Sequence, residues 1–323
     1  MQGIDQIKDE FYIYSNGGYV VLTGIRLYIF HADGNLVACR KDLRHAGRIT
    51  FLSGNRMLLC SSKAVFHMID LRDGSDIWTA PYAKCELNVS DIAVSQDETF
   101  AYTYDKWKGS QFISRLDLQT HEVDTCDMYM DVGATAGILC DEEGVPCLLK
   151  TVSEIIGGKL FHQNGVRLHD FYYLSASHTN IWKTKWTFEG NRSVLCFLGS
   201  TDTVVTTDLH IYTPSTGVSI DLLENESSWQ RPDRSPSGCW LDISSRYLCL
   251  MYQTVNVIID IQTRKVAAQY AGSLTRGCLI GNEYWICVNG RISRKPFPAM
   301  EDTPPVKTVL NSDWYYSEHP EFW

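Results

Sequence analysis

The residues of this chain best equipped for recognition are tryptophans set among basic residues in polar stretches. They occur as Lys106-Trp107-Lys108, as Trp182-Lys183-Thr184-Lys185-Trp186, and as Trp229 followed by Arg231 and Arg234. An indole presents a broad apolar face and one N–H donor. Neighbouring lysine and arginine add charge and further donors, so such groupings bind acidic or sugar-like surfaces rather than break bonds. Signatures of bond-breaking chemistry do not occur: there is no H-E-x-x-H, no G-x-S-x-G and no P-loop. Of nine histidines, His31, His67, His162, His169 and His210 lie in or beside apolar runs, where a structural hydrogen bond is the usual role. The carboxylates Asp105, Asp202, Asp208, Asp233, Asp242 and Glu283 are scattered along the chain with no paired spacing. No catalytic residue, metal ligand or cofactor is assigned.

These residues hang on a repeating frame. An apolar run, a short polar turn and a second apolar run recur at 11–22, 48–60, 91–103, 136–150, 194–207, 239–251 and 277–288. The turns centre near residues 16, 54, 96, 143, 200, 244 and 281, which is 37 to 57 residues apart. Each is followed by a second hairpin, at 26–40, 65–78, 112–125, 159–171, 209–223 and 255–270, with a degenerate last copy at 290–297. Alternating apolar positions flanking turns rich in Gly, Asp, Asn and Ser code for paired strands. A strand-coding repeat of this length specifies a β-propeller. The expectation is therefore all-β: a single propeller domain over 1–323 with seven four-stranded antiparallel blades starting near 11, 48, 91, 136, 194, 239 and 277. The missing last strand is expected at 306–314, followed by an aromatic tail, 315–323, that seals the junction with the first blade.

The second hairpins carry a family resemblance. Asp70-Leu-Arg-Asp-Gly74-Ser-Asp-Ile-Trp78 resembles the repeat of quinoprotein-like (PQQ-type) propellers, in which an Asp-apolar-x-x-Gly turn precedes a Trp. Asp117–His121 and Asp260–Arg264 resemble it with the Gly replaced, and Pro214–Gly217 keeps the Gly without the Asp. The resemblance implies the propeller architecture. It does not extend to the cofactor chemistry of the larger quinoprotein enzymes, and to WD40 propellers it is architectural only, because their Gly-His and Trp-Asp pairs are absent.

Sorting loops by strand order separates two surfaces. Turns within hairpins are short and open on one face. Connections from second to third strand, and from blade to blade, open on the other, and the Trp/Lys/Arg clusters are assigned to that longer-loop face. Twenty-nine basic against 38 acidic residues leave a net charge of −9, which argues against a nucleic-acid partner. No apolar run reaches the ~20 residues that span a bilayer. The first residues carry no secretory signal, and the 11 cysteines, an odd number set mostly in strand patterns, form no C-x-x-C pair. The chain reads as a cytoplasmic, non-catalytic interaction or scaffold propeller, its partner another protein with an acidic surface. Two alternatives are a glycosidase- or lyase-type enzyme acting at the channel mouth, and a carbohydrate-binding, lectin-like propeller.

Overall fold

Short apolar segments with β-branched and aromatic residues, each bounded by a turn, satisfy their backbone groups by pairing with the next segment in the chain. A computed structural model describes residues 10–14, 17–22, 26–43, 49–61, 65–81, 89–107, 110–128, 134–152, 155–156, 159–160, 167–174, 182–190, 194–232, 236, 238–242, 244–252, 254–271, 276–288 and 291–301.

The first sheet comprises β1 (Glu10–Ile13), β2 (Tyr19–Leu22), β3 (Leu27–Phe30) and β4 (Leu36–Arg40) in that spatial order. The second holds β5 (Ile49–Leu52), β6 (Arg56–Cys60), β7 (Val65–Asp70) and β8 (Asp76–Pro81). The third holds β9 (Val89–Val94), β10 (Phe100–Trp107), β11 (Ser110–Asp117) and β12 (Val123–Met128). In the fourth, β13 (Ala134–Cys140) and β14 (Pro146–Val152) are followed by a separate two-stranded arm, β15 (Ile155–Ile156) and β16 (Lys159–Leu160). The chain then returns as β17 (Arg167–Leu174) and β18 (Trp182–Gly190), giving the order β13-β14-β17-β18. The fifth sheet is β19 (Val194–Phe197), β20 (Val204–Thr206), β21 (His210–Thr213) and β22 (Val218–Asp221). The sixth is β23 (Gly238–Leu241), β24 (Tyr247–Met251), β25 (Val255–Asp260) and β26 (Lys265–Ala271). A three-stranded sheet, β27 (Cys278–Ile280), β28 (Glu283–Val288) and β29 (Arg291–Pro296), ends the described chain. All pairings within these sheets are antiparallel, and all but β14–β17 join consecutive strands, the topology of propeller blades.

The core lies between sheets. Tyr12, Val20, Leu27, Ile29 and Leu43 from the first sheet pack on Ile49, Met57, Leu59, Ile69 and Leu71 of the second. Phe66, Met68 and Ala80 of the second pack on Ile92, Ala101 and Leu116 of the third, and equivalent layers join the fifth to the sixth and the sixth to the last sheet. The circle closes where Tyr19 and Val21 meet Cys278 and Trp285, with the Tyr19 and Trp285 rings edge-to-face at 5.2 Å. Closure therefore rests on face packing between first and last sheets, the arrangement that removes free sheet faces from water.

The turn motif of the second hairpins holds in three dimensions. Gly74, His121, Gly217 and Arg264 occupy equivalent turn positions and all have positive φ, from +56° to +75°. Asp117 accepts from the backbone N–H groups of Gln119 and Thr120, and Asp260 from those of Gln262 and Thr263. Trp78 stacks on the His121 ring at 4.3 Å, tying the second sheet to the third.

Three expectations need correction or fall elsewhere. The second hairpin of the fourth sheet is not 159–171. Residues 159–160 belong to the arm, and the hairpin is β17–β18, with Arg167 opposite Gly190 and Leu174 opposite Trp182. Cys39 is exposed on the outermost strand β4, whereas Cys60, Cys147, Cys249 and Cys278 are buried as expected of small hydrophobes. The strand expected at 306–314 and the tail 315–323 lie outside the described residues.

Candidate interaction surface

Strand length is the first element of the site. β10 and β11 each run eight residues, β17 eight and β18 nine, while no strand of the first or fifth sheet exceeds five. The β9–β10 pairing ends at Asp105 opposite Val89, yet the β10–β11 ladder continues through Lys106 opposite Gln111 to Trp107 opposite Ser110. Among the described residues the β10–β11 ladder therefore runs two pairs past the last β9–β10 pair. In an antiparallel sheet this second-to-third connection opens on the end away from the intra-hairpin turns. The β15–β16 arm interrupts the corresponding connection of the fourth sheet, so two neighbouring sheets extend toward the same face.

Among the candidate residues, Lys106 and Trp107 sit at this hairpin end, with Lys108 in the turn just outside the described residues. Trp182, Lys183, Lys185 and Trp186 lie on β18, the outermost strand of the fourth sheet, not in a loop between the fourth and fifth. Leu174 and Trp182 flank the β17–β18 connection, which opens on the intra-hairpin face. Trp182 thus stands at the end of the sheet opposite to the one assigned from sequence, and Trp186, opposite Phe171, stands at mid-strand. Lys185 falls at a register shift between Phe171 and Tyr172, a bulge in the edge strand.

Trp229 and Arg231 are on the long crossover between β22 and β23, and both are engaged internally. The Trp229 indole N–H donates to Gln269 Oε1 at 2.8 Å, and its ring packs, half-buried, on the layer between fifth and sixth sheets. Glu226 accepts from the backbone N–H groups of Ser228, Trp229 and Val266. Asn225 donates to the Thr263 carbonyl, and Arg264 pairs with Glu224. The crossover thus follows the edge of β26, and its side chains fasten it there. Arg231 donates to the Thr207 carbonyl of the fifth sheet. Arg234 lies outside the described residues.

The carboxylates are spent locally. Asp202 bonds Ser215, Asp208 takes the Thr206 hydroxyl at 2.5 Å, Glu283 takes the Trp285 indole N–H at 3.0 Å, and Asp242 receives the N–H groups of Ser244 and Tyr247. Each bonds within its own sheet. Asp233 lies outside the described residues.

Two hollows open on the intra-hairpin face, which sequence reading treated as plain turns. One, of about 470 Å³, lies between the first and second sheets and is lined by Tyr14, His31, Asp33, Asn55 and Arg72. The other, of about 920 Å³, lies among the third to fifth sheets, with Gln96, Asp141, Glu142, Glu143, Asp202 and Ser215 on its walls. Asp141 accepts the N–H groups of Glu143 and Val145, a turn cap, and no group of three or more metal-binding side chains exists among the described residues. No signal in the sequence marks such hollows, because they form between turns distant in the chain.

No family model and no curated protein matches this chain. Solved structures do match in shape. A chain of the Kuenenia stuttgartiensis hydrazine synthase superposes with a TM-score of 0.62 at 12% identity, covering 92% of this chain and 98% of that one. The computationally designed Ika8 protein gives a TM-score of 0.57 at 10% identity, over 90% of this chain and 96% of that one. At such identities the likeness is one of fold: the chain is a β-propeller, and its all-β, four-stranded antiparallel blades are of that architecture. No helix among the described residues is long and apolar enough to cross a membrane.

Proposed function

We propose that this chain is an interaction propeller, a scaffold or assembly subunit that binds a partner protein through the extended end of its third and fourth sheets. The observation that supports this reading is the β10–β11 ladder, which among the described residues runs past the last β9 pair to Trp107, within the sequence Lys106-Trp107-Lys108. An aromatic residue between two cations at the end of a sheet is suited to an acidic protein surface. The three-stranded last sheet is taken as the seventh blade. Trp182, Lys183, Lys185 and Trp186 extend the recognition surface along the rim strand β18. Trp229 and Arg231 hold the crossover in place and support the surface indirectly.

The test compares affinity capture from native lysate by wild type, by Lys106→Glu/Trp107→Ala/Lys108→Glu, and by Trp182→Ala/Trp186→Ala. A stoichiometric partner is expected with wild type and lost with the hairpin triple variant at an unchanged melting temperature. Full retention of that partner by the triple variant overturns the assignment.

A further inference from the structure

Arg276 precedes β27, the innermost strand of the last sheet, and its side chain lies between the inner strands of both flanking sheets. Its guanidinium carbon is 4.4 Å from the centre of the Tyr12 ring on β1 and 5.4 Å from that of the Trp240 ring on β23. The side chain therefore bridges the first and sixth sheets across the start of β27. Both rings are themselves buried, at 6% and 8% exposure, and Phe51 of the second sheet adds a third aromatic edge 6.3 Å from Tyr12. Aromatic faces satisfy the charge of a guanidinium over its plane, but they leave its in-plane N–H donors untouched.

Arg276 is half-buried and forms no salt bridge among the described residues, and its Nε is buried without a hydrogen-bond partner. Six other arginines differ: Arg40, Arg56, Arg72, Arg115, Arg246 and Arg264 each pair with a carboxylate. A buried donor left unpaired on a cation costs more than one on a neutral group, so a fold that keeps it gains something by doing so. Its charge acts on the buried thiols of Cys249 and Cys278, but burial pushes both well up and keeps them protonated and uncharged.

We propose that Arg276 is the anchor of an oxyanion-binding site where the last sheet meets the first and sixth, its in-plane donors receiving the two oxygens of a small organic carboxylate. Tyr12 and Trp240 hold the guanidinium plane fixed, so little side-chain entropy remains to be lost on binding. A bidentate fork of this kind accepts carboxylate or phosphate geometry alike, whereas the aromatic surround favours the less hydrated carboxylate. The site is independent of the protein-binding surface proposed above, which lies on the third and fourth sheets.

The experiment titrates folded, full-length protein with sodium glutarate, and separately with inorganic phosphate, against sodium chloride at matched ionic strength. Melting temperature and calorimetric heat are followed. Glutarate is expected to raise the melting temperature saturably, with chloride inert. Arg276→Met should abolish the shift, and Arg276→Lys, which keeps the charge but not the fork, should weaken binding tenfold or more. Arg276→Met is further expected to melt no lower than wild type without ligand, because it removes an unpaired buried donor while keeping the volume. Saturable stabilisation by phosphate alone would overturn the carboxylate assignment. No saturable response to either anion, or a response that Arg276→Met retains, would overturn the site. So would an Arg276→Met protein that melts well below wild type while wild type ignores both anions, since that is the behaviour of a purely structural cation.

Discussion

Gly74 has a φ of +75°, and a Cβ built on it would overlap the Cβ of Ala38 on the outer strand of the preceding sheet. Left-handed backbone costs an L-residue roughly 1–2 kcal/mol and overpacking a further 1–3 kcal/mol. Gly74→Ala is therefore expected to lose about 2–4 kcal/mol in urea unfolding at unchanged m-value. Beside it, Arg40 donates to both oxygens of Asp42 at 2.9 and 2.7 Å, to Asp76 at 2.9 Å and to the Gly74 carbonyl at 2.9 Å, joining first and second sheets. The Arg40 hydrogen bonds hold the Asp42 carboxyl down at about 2. An ordinary aspartate titrates near about 3.9, so the linked stabilisation is present above that pH and fades as pH falls toward the folded value. Arg40→Met should accordingly lower the urea midpoint at pH 7, and the gap to wild type should narrow between pH 4 and pH 2. A gap that stays constant across that range would count against the linkage.

Among the elements, the crossover between β22 and β23 is the least regular and the most heavily fastened. Gln269 on the edge strand β26 accepts from the Trp229 indole and donates from its Nε2 to the Glu301 carbonyl at 2.9 Å. Its backbone also bonds Ala299 and Glu301. One side chain thus secures two coverings over a sheet edge that would otherwise present unpaired groups. Gln269→Ala should cost about 2 kcal/mol, two hydrogen bonds at roughly 1 kcal/mol each. Hydrogen exchange should rise first in the crossover and in residues 299–301, not across the whole sheet. The fourth sheet teaches the complementary lesson. His162-Gln-Asn-Gly165 reads locally as a hairpin turn, but β14 pairs instead with Arg167–Leu174, over six residue pairs from Cys147 to Val152. A turn signal is local and a strand's partner is not. That is why the Trp182–Trp186 segment was placed in a loop when it is an edge strand. Trp229 and Arg231 were legible as unusual residues, but not as staples, because Gln269 and Thr207 are 40 and 24 residues away.

For the molecule as a whole, stability depends on closing the circle. Trp285 is 7% exposed, stands edge-to-face with Tyr19, donates to Glu283 and carries Arg294 over its ring at 3.9 Å. Truncating a buried tryptophan costs about 3–5 kcal/mol. Trp285→Ala should therefore lower the melting temperature and expose the first and last sheets to limited proteolysis before the middle ones. Uniform cleavage around the ring would argue that closure is not made there.

The amino-acid sequence on its own determined the strand-turn-strand units, the hairpin turns and their left-handed positions, since alternation and turn chemistry act over a few residues. From these alone the propeller follows. Tertiary structure decided the rest: which strand follows β14, how the crossover is pinned to β26, how the first sheet meets the last, and that Arg276 lies between Tyr12 and Trp240. The first two depend on partners tens of residues away and the last two on groups brought together when the ring closes, where a contact spanning more than 200 residues leaves no periodicity in the chain to read.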